Sequence, residues 1–325
     1  MRKLYIFGNG LGRAFDNDFY SLKRALEEAW SEEGPLNDDE RALIANCLSD
    51  GAVGPEMAAP TEEAQLRDLQ RVVDACDLIA HFQERANCDE AWLTGNGEDF
   101  PNAVRRYFHH AASQFHSAEH KLPPEFAQKF RAFVERDRPH IATLNYDDLL
   151  YGSFVETPIA QQHLLRDGFL RGKFDFEFHK RLMIEGEGWF LHLHGSPLFI
   201  RRGGKDRKIT RAELPSHLGY ERTHLVLTDA KSKPGAINSS AILRRYWAEL
   251  AEILKQPVAV TLFGYGGADL HLNRLISEAH EGATIRVVSR TPDDENSAKA
   301  HWECLFRSRD LEFLFLDNIL DLQDW

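Results

Sequence analysis

The sequence predicts an α/β domain with a mostly parallel sheet whose strands come from both ends of the chain. Three observations carry this. Leu4-Tyr5-Ile6-Phe7 is a short apolar run closed by the glycine loop Gly8-Asn9-Gly10-Leu11-Gly12, which reads as a buried strand ending in a tight turn. The last third alternates strand 258–263, helix 270–280, strand 284–288, helix 293–306 and strand 311–316. Such alternation, with loops of a few residues, implies parallel strands joined by helical crossovers. Between the two ends, from about 18 to about 136, the apolar spacing is helical.

In that middle stretch Leu22, Ala25, Leu26 and Trp30 space one face, and Leu66, Leu69, Val72, Val73, Cys76 and Leu78 another. Gly51, Gly54, Pro55, Pro60, Gly95, Gly97 and Pro101 punctuate the helices. Because apolar spacing is maintained, residues 21–136 read as a large helical insertion after the first strand, within a single domain covering 1–325. Strand signals return at Ile141-Ala142-Thr143-Leu144 and at Trp189-Phe190-Leu191-His192-Leu193-His194. Residues 199–228 mix short strands with polar turns and do not resolve into an order. A helix is expected over 239–255, carrying Ile242, Leu243, Tyr246, Trp247, Leu250 and Leu254. There is no internal repeat and no low-complexity tract.

The 325 residues allow one large domain or two ordinary ones, and 43% apolar with 28% charged residues excludes a disordered or collagen-like chain. Lys and Arg total 39 against 51 Asp and Glu, a formal charge of −12. A broad negative field argues against bulk nucleic-acid or anionic-membrane binding. No segment approaches the roughly 20 consecutive apolar residues of a membrane span. The N-terminus reaches Gly8 too early for a signal-peptide core. Cys47, Cys76, Cys88 and Cys304 form no Cys-x-x-Cys pair, so neither a dense disulfide framework nor a zinc ribbon is expected. A reduced, soluble, cytoplasmic protein without metal is the expectation.

Residues 8–12, 145–148, 194–196 and 264–269 are polar or glycine-rich and sit where strands end. In a parallel sheet such ends converge on one edge, where ligands bind. The first loop resembles a phosphate cradle, since glycines let backbone amides approach a pyrophosphate. It departs from the dinucleotide fingerprint of dehydrogenases, whose third small residue falls on Arg13 or Phe15 here. Asn145 and Asp147 place an amide and a carboxylate at a strand end, where simple capping is the plain alternative. His192 and His194, two residues apart, are expected on one strand face, with His194, beside Gly195, nearest the crevice and suited to general-base work near neutral pH. Two satisfied core histidines are the alternative. Gly264-Tyr265-Gly266-Gly267-Ala268-Asp269 is a second glycine loop after a strand. Two such loops in one sheet suggest a ligand with two ends, such as a dinucleotide.

The ordered set G-x-G near the N-terminus, T-x-N-Y-D at 143–147, L-H-G-S at 193–196 and F-G-Y-G-G-x-D-x-x-L at 263–272 resembles sirtuin-like domains, and most closely the bacterial sirtuin-like NAD hydrolases of antiphage defence. The resemblance covers about residues 4–20 and 141–290 and implies a Rossmann-like parallel sheet. It implies NAD as substrate, cleaved at the nicotinamide–ribose bond to nicotinamide and ADP-ribose by a regulated effector that depletes NAD. By position it makes Asn145 and His194 catalytic, and gives Asp147 the nicotinamide carboxamide. Gly8, Asn9 and Gly10 fall to the phosphates, and Gly264, Tyr265, Gly266 and Asp269 to the phosphate and ribose side. Ser289 falls near the adenosine ribose. Two departures stand out: Gly12 replaces the family's small polar residue, and Asp18-Phe19-Tyr20 replaces its Asp-Phe-Arg. An NAD-dependent deacylase or a degraded nucleotide-sensing subunit are the alternatives; the deacylases' zinc module has no counterpart here.

The resemblance further implies a homo-oligomer controlled by a separate sensor or activator protein, since an unregulated NAD hydrolase would poison its own cell. His109, His110, His116 and His120 are expected on one helix, where His116 and His120 have the i, i+4 spacing of a metal pair but read better as surface histidines. The basic run at 201–208 reads as a solvated hairpin tip.

Overall fold

The computed structural model describes residues 1–48, 59–61, 63–86, 93–117, 119–154, 165–183, 186–216, 222–228, 232–307 and 309–325. Leu4, Tyr5, Ile6 and Phe7 are all buried, so the first strand is covered on both faces. A near-continuous apolar strand of this kind belongs in the middle of a parallel sheet with helices on each side. The strands in chain order are β1 (Arg2–Phe7), β2 (His140–Thr143), β3 (Leu165–Arg166), β4 (Phe169–Leu170), β5 (Lys173–Phe174) and β6 (Gly188–His192). They continue as β7 (Gly195–Arg202), β8 (Lys205–Lys208), β9 (Arg222–Leu225), β10 (Val258–Phe263), β11 (Thr284–Arg290) and β12 (Leu311–Leu316).

Among the described residues, seven strands form a sheet in the order β12-β11-β10-β1-β2-β6-β3, parallel throughout. This is a Rossmann-like α/β architecture. Strand β1 is flanked by β2 on one side and β10 on the other, with Phe7 paired to both Thr143 and Phe263. The chain therefore leaves β1 in one direction and returns on its other side, so the carboxyl ends of β1 and β10 mark the switch point where a crevice opens.

A second, antiparallel sheet has the order β4-β5-β8-β7-β9. It resolves the stretch that sequence patterning left without an order. The basic run does form a hairpin, β7–β8, turning at Gly203 and Gly204.

Helices α1 (Gly10–Phe15), α2 (Leu22–Trp30), α3 (Asp38–Ala45), α4 (Arg67–Ala86), α5 (Gly95–Ser113) and α6 (Pro124–Asp137) lie between β1 and β2. Two apolar clusters divide them. Phe126, Phe130 and Phe133 of α6 join the core of the large sheet, where Phe130 meets Phe7 and Trp325 at centroid distances of 5.6 and 4.8 Å. Leu26 and Trp30 of α2, Leu69 and Val73 of α4, and Val104 and Tyr107 of α5 build the second cluster. Tyr146 packs against both. Leu78, expected on the buried face of α4, is 56% exposed. Cys88, Gly51, Gly54 and Pro55 lie outside the described residues.

After β2 come α7 (Tyr151–Phe154), α8 (Phe176–Leu182), α9 (Lys233–Ser239), α10 (Ala241–Leu254), α11 (Leu270–Ser277) and α12 (Glu295–Leu305). The single helix expected over 239–255 is α10 alone, because Ser240 interrupts: its hydroxyl caps the new helix by accepting from the Leu243 amide at 3.2 Å. Among the described residues no helix is long and apolar enough to cross a membrane.

Candidate active site

Two glycine loops cross at the switch point. The Gly8 amide donates to the Phe263 carbonyl (2.9 Å) and the Gly10 amide to the Gly264 carbonyl (2.8 Å). A Cβ on Gly10 would stand 2.6 Å from the Gly264 oxygen, and one on Gly8 2.7 Å from the same atom. Contacts that close admit no side chain. The sequence reading had these amides facing a pyrophosphate; both are spent instead on the end of β10. What the glycines supply is the close crossing itself.

His194 lies at a corner. Strand β6 ends at His192 and β7 begins at Gly195, so the chain passes from the parallel sheet to the antiparallel one through Leu193 and His194. Gly195 takes φ +84°, and a Cβ there would fall 1.7 Å from the His224 carbonyl oxygen. The neighbouring backbone is clamped: Leu193 donates to the Thr143 carbonyl (2.8 Å) and accepts from the Trp247 indole (2.8 Å), while the His194 carbonyl accepts from the Val226 amide (2.9 Å). The alternation of a strand stops at this corner, so His192 and His194 do not share a surface. His192 is enclosed by Tyr151, Phe190 and Phe199, with both ring nitrogens buried and unpartnered. Burial holds its pKa down to about 3.

The His194 imidazole meets Asp269, with Nε2 2.9 Å from Oδ2. An ionised carboxylate only accepts, so Nε2 carries a proton, and in the neutral ring the lone pair lies on Nδ1. Asp269 is held in turn: its Oδ1 accepts from the Leu272 amide (3.0 Å) as the N-cap of α11, and its own amide donates to the Tyr265 hydroxyl (2.9 Å). Tyr265 donates to Asn273 Oδ1 (2.9 Å), which fixes the loop. Burial pushes the Asp269 pKa up, but the hydrogen bond and charge of His194, with the Lys233 ammonium at 3.5 Å, overcome that and hold it well below the ordinary value.

Asn145 projects from the end of β2. Its Nδ2 donates to the Gly8 carbonyl (3.0 Å) and its amide to Thr143 Oγ1 (3.0 Å), tying the β2 end to the first glycine loop. Its Oδ1 is buried and has no partner. Asp147 is buried, accepts from the Leu149 amide (3.0 Å), and has its pKa pushed up by burial to about 6.

Two cavities flank the crossing. One, of about 220 Å³, is bordered by Gly8, Asn9, Asn145, Asp147, His194 and Asp269. The other, of about 560 Å³, is bordered by Gly10, Gly264, Ser289, Arg290 and Asp317. Tyr265 and Gly266 border both. All eleven residues singled out in the sequence therefore border one cavity or the other.

No protein-family model matches this chain. A search of curated proteins gives no significant match.

Sequence reasoning missed four residues of the smaller cavity. Lys233, at the start of α9, is buried and bridges Asp269 to Glu63, 3.2 Å away. Tyr146 donates its hydroxyl to the Val226 carbonyl, and its ring centroid lies 6.4 Å from that of His194. Tyr20 is 1% exposed and its hydroxyl has no partner. The Asp18-Phe19-Tyr20 segment was the available signal for Tyr20 and the motif at 143–147 for Tyr146; nothing in the sequence tied Lys233 or Glu63 to the site.

The four histidines read as a surface group are not one. Helix α5 ends at Ser113, so His116 and His120 lie beyond it. His109 is buried and bonds the Pro197 carbonyl at 2.9 Å. His116 Nε2 donates to the Tyr146 carbonyl (2.7 Å), and burial lowers its pKa to about 3. His120 stacks on Phe19 at 3.7 Å. Among the described residues no three His, Cys, Asp or Glu side chains converge as a metal site.

Proposed function

We propose that this chain is an NAD hydrolase that releases nicotinamide and ADP-ribose. One observation carries the reading: two cavities flank a crossing of glycine loops, and the buried His194–Asp269 pair stands in one of them. A dinucleotide needs that layout. Its nicotinamide ribose would enter the smaller cavity, its adenosine the larger, and its pyrophosphate would span the crossing. The unpartnered Asn145 Oδ1 supports the fit, because a buried acceptor without a donor costs about 1–3 kcal/mol until a ligand hydroxyl or water supplies one.

In this reading the C1′–N1 bond breaks with its electron pair leaving on nicotinamide, and the ribose passes through an oxocarbenium-like state. A water held by Asn145 adds its oxygen to C1′ and gives its proton to Nδ1 of His194. Asp269 orients the imidazole and stabilises its charged form, as in other His–carboxylate pairs. Asp147 accepts from the carboxamide. The resemblance of the four motifs to sirtuin-like defence enzymes supports the same conclusion, and with it a cytoplasmic effector restrained by assembly or by an activator protein.

The test is incubation of purified protein with NAD, with and without an acetylated peptide, followed by chromatography of the products. Nicotinamide and ADP-ribose without peptide support the reading, and His194→Ala and Asn145→Ala should each abolish them. Turnover only with peptide, giving an acetylated ADP-ribose, makes the chain a deacylase; no turnover under either condition, or with candidate activators present, defeats both.

A further inference from the structure

Tyr20 is the one phenol bordering the smaller cavity, among the described residues, whose hydroxyl has no partner. Tyr146 and Tyr265 border it too, and both have their hydroxyls engaged within the protein. The Tyr20 ring is held by its neighbours. It lies against the backbone of Gly12, stacks with Phe115 at a centroid distance of 6.3 Å and 10° between planes, and meets Phe19 edge-on at 4.9 Å. Its backbone is held as well, its carbonyl accepting from Asn9 Nδ2 at 3.3 Å and its amide donating to the Asp16 carbonyl at 3.1 Å. A rigid ring that carries a buried hydroxyl into a cavity and leaves it unsatisfied is destabilising, by about 1–3 kcal/mol, unless something binds there.

The surroundings say what kind of group that is. Asp147 borders the same cavity and lies near enough for its charge to oppose ionisation of the Tyr20 phenol, after burial itself. The phenol therefore stays protonated and is a donor. The same cavity is bordered by two residues that carry acceptors, Asp147 with its carboxylate and Asn145 with its unpartnered Oδ1. A donor that shares a cavity with a carboxylate acceptor and with the apolar side chains of Leu22, Phe115 and Leu144 matches a flat ring bearing a primary amide. The amide nitrogen gives a hydrogen to the carboxylate, and the amide oxygen takes one from the phenol.

We propose that Tyr20 reads the carbonyl oxygen of the ligand's carboxamide, so that specificity at the nicotinamide end comes from the Tyr20–Asp147 pair. This rests on the NAD reading above and adds to it a residue with no assigned role. Discrimination of this type is efficient, because an analogue lacking the acceptor leaves a buried donor unpaired.

The experiment compares NAD with its thioamide analogue, in which sulfur replaces the amide oxygen and accepts hydrogen bonds weakly, on the wild type and on Tyr20→Phe. Tyr20→Phe keeps the ring and should fold with an unchanged or raised Tm. Its KM for NAD should rise about tenfold, the worth of one hydrogen bond near 1.4 kcal/mol. Its KM for the thioamide should change by less than about twofold. A merely structural role would weaken both compounds alike, so equal losses, or no loss with NAD, overturn the assignment while leaving the hydrolase reading intact. A wild type that neither binds nor cleaves NAD overturns the two together.

Discussion

A Cβ on Gly12 would stand 2.7 Å from Cγ of Tyr20 and 2.8 Å from its Cδ1. Gly12 and Tyr20 are thus one structural unit. The tyrosine ring occupies the space that a side chain at position 12 would need. Gly12→Ala should displace the ring, cost about 1–3 kcal/mol as an overpacked core does, and lower Tm by several degrees. In a double-mutant cycle with Tyr20→Ala the two costs should fall short of additivity; strict additivity in thermal melts would mean that the contact is not shared.

Asp269→Asn should leave the fold intact, since an asparagine still caps α11, but it removes the ionised acceptor that fixes the His194 tautomer. NAD turnover should fall by roughly a hundredfold or more, comparable to loss of the general base itself. Product release measured for Asp269→Asn, His194→Ala and the double variant checks this: residues acting as a unit give a double loss close to either single one.

Asp147 carries a pH signature of definite sign. Its pKa is pushed up to about 6 in the folded chain, against an ordinary value of 3.8. The protonated form is favoured by folding, so the benefit is present at low pH and is lost as pH rises through about 6. Asp147→Asn should therefore stabilise the protein at pH 8, by on the order of 1–3 kcal/mol, and much less at pH 4. NAD cleavage should fall with the same substitution, and wild-type cleavage should decline below about pH 6 as the acceptor is protonated. Melting curves at the two pH values and a pH–rate profile give both readouts.

His192 should behave as its neighbours dictate. It is kept neutral among aromatic rings with its pKa near 3, so acidification below the ordinary value of 6.5 charges the unfolded chain first and removes stability progressively down to about 3. His192→Leu should flatten that loss and leave turnover within about twofold, because the ring does not border the cavity. A His192→Leu protein that folds but is inactive would show that the wrong histidine has been placed in the chemistry.

The sequence made the regular part of this fold legible. Strands 258–263 and 311–316 match β10 and β12 residue for residue, because short apolar runs between long amphipathic helices leave few other readings. The antiparallel sheet was not legible: β4 and β5 are two residues each, below the length at which alternation can be seen. Patterning also placed His192 and His194 on one face, since nothing local announces that Gly195 turns a corner between sheets. Residues 8–10, 145–147, 194 and 264–269 come together at the two cavities because strand ends converge. Tyr20 reaches the cavity from the turn before α2, Glu63 from a 3-10 turn and Lys233 from the start of α9, and their approach is set by tertiary packing, which one sequence does not encode locally.

The central position of β1 has a consequence for how the chain acquires its structure. Leu4 pairs with His140 on one side and with Val260 on the other, so β1 waits for more than 250 further residues before both its edges are covered. Contacts of that sequence separation are slow to form, because a long loop must close before any of them is rewarded. The helices of the second cluster, whose partners lie far closer in sequence, have no such delay. The nascent protein thus carries an exposed apolar strand beside an already folded helical body, and an interruption of synthesis before β10 leaves that strand half paired, a template for association between unfinished copies.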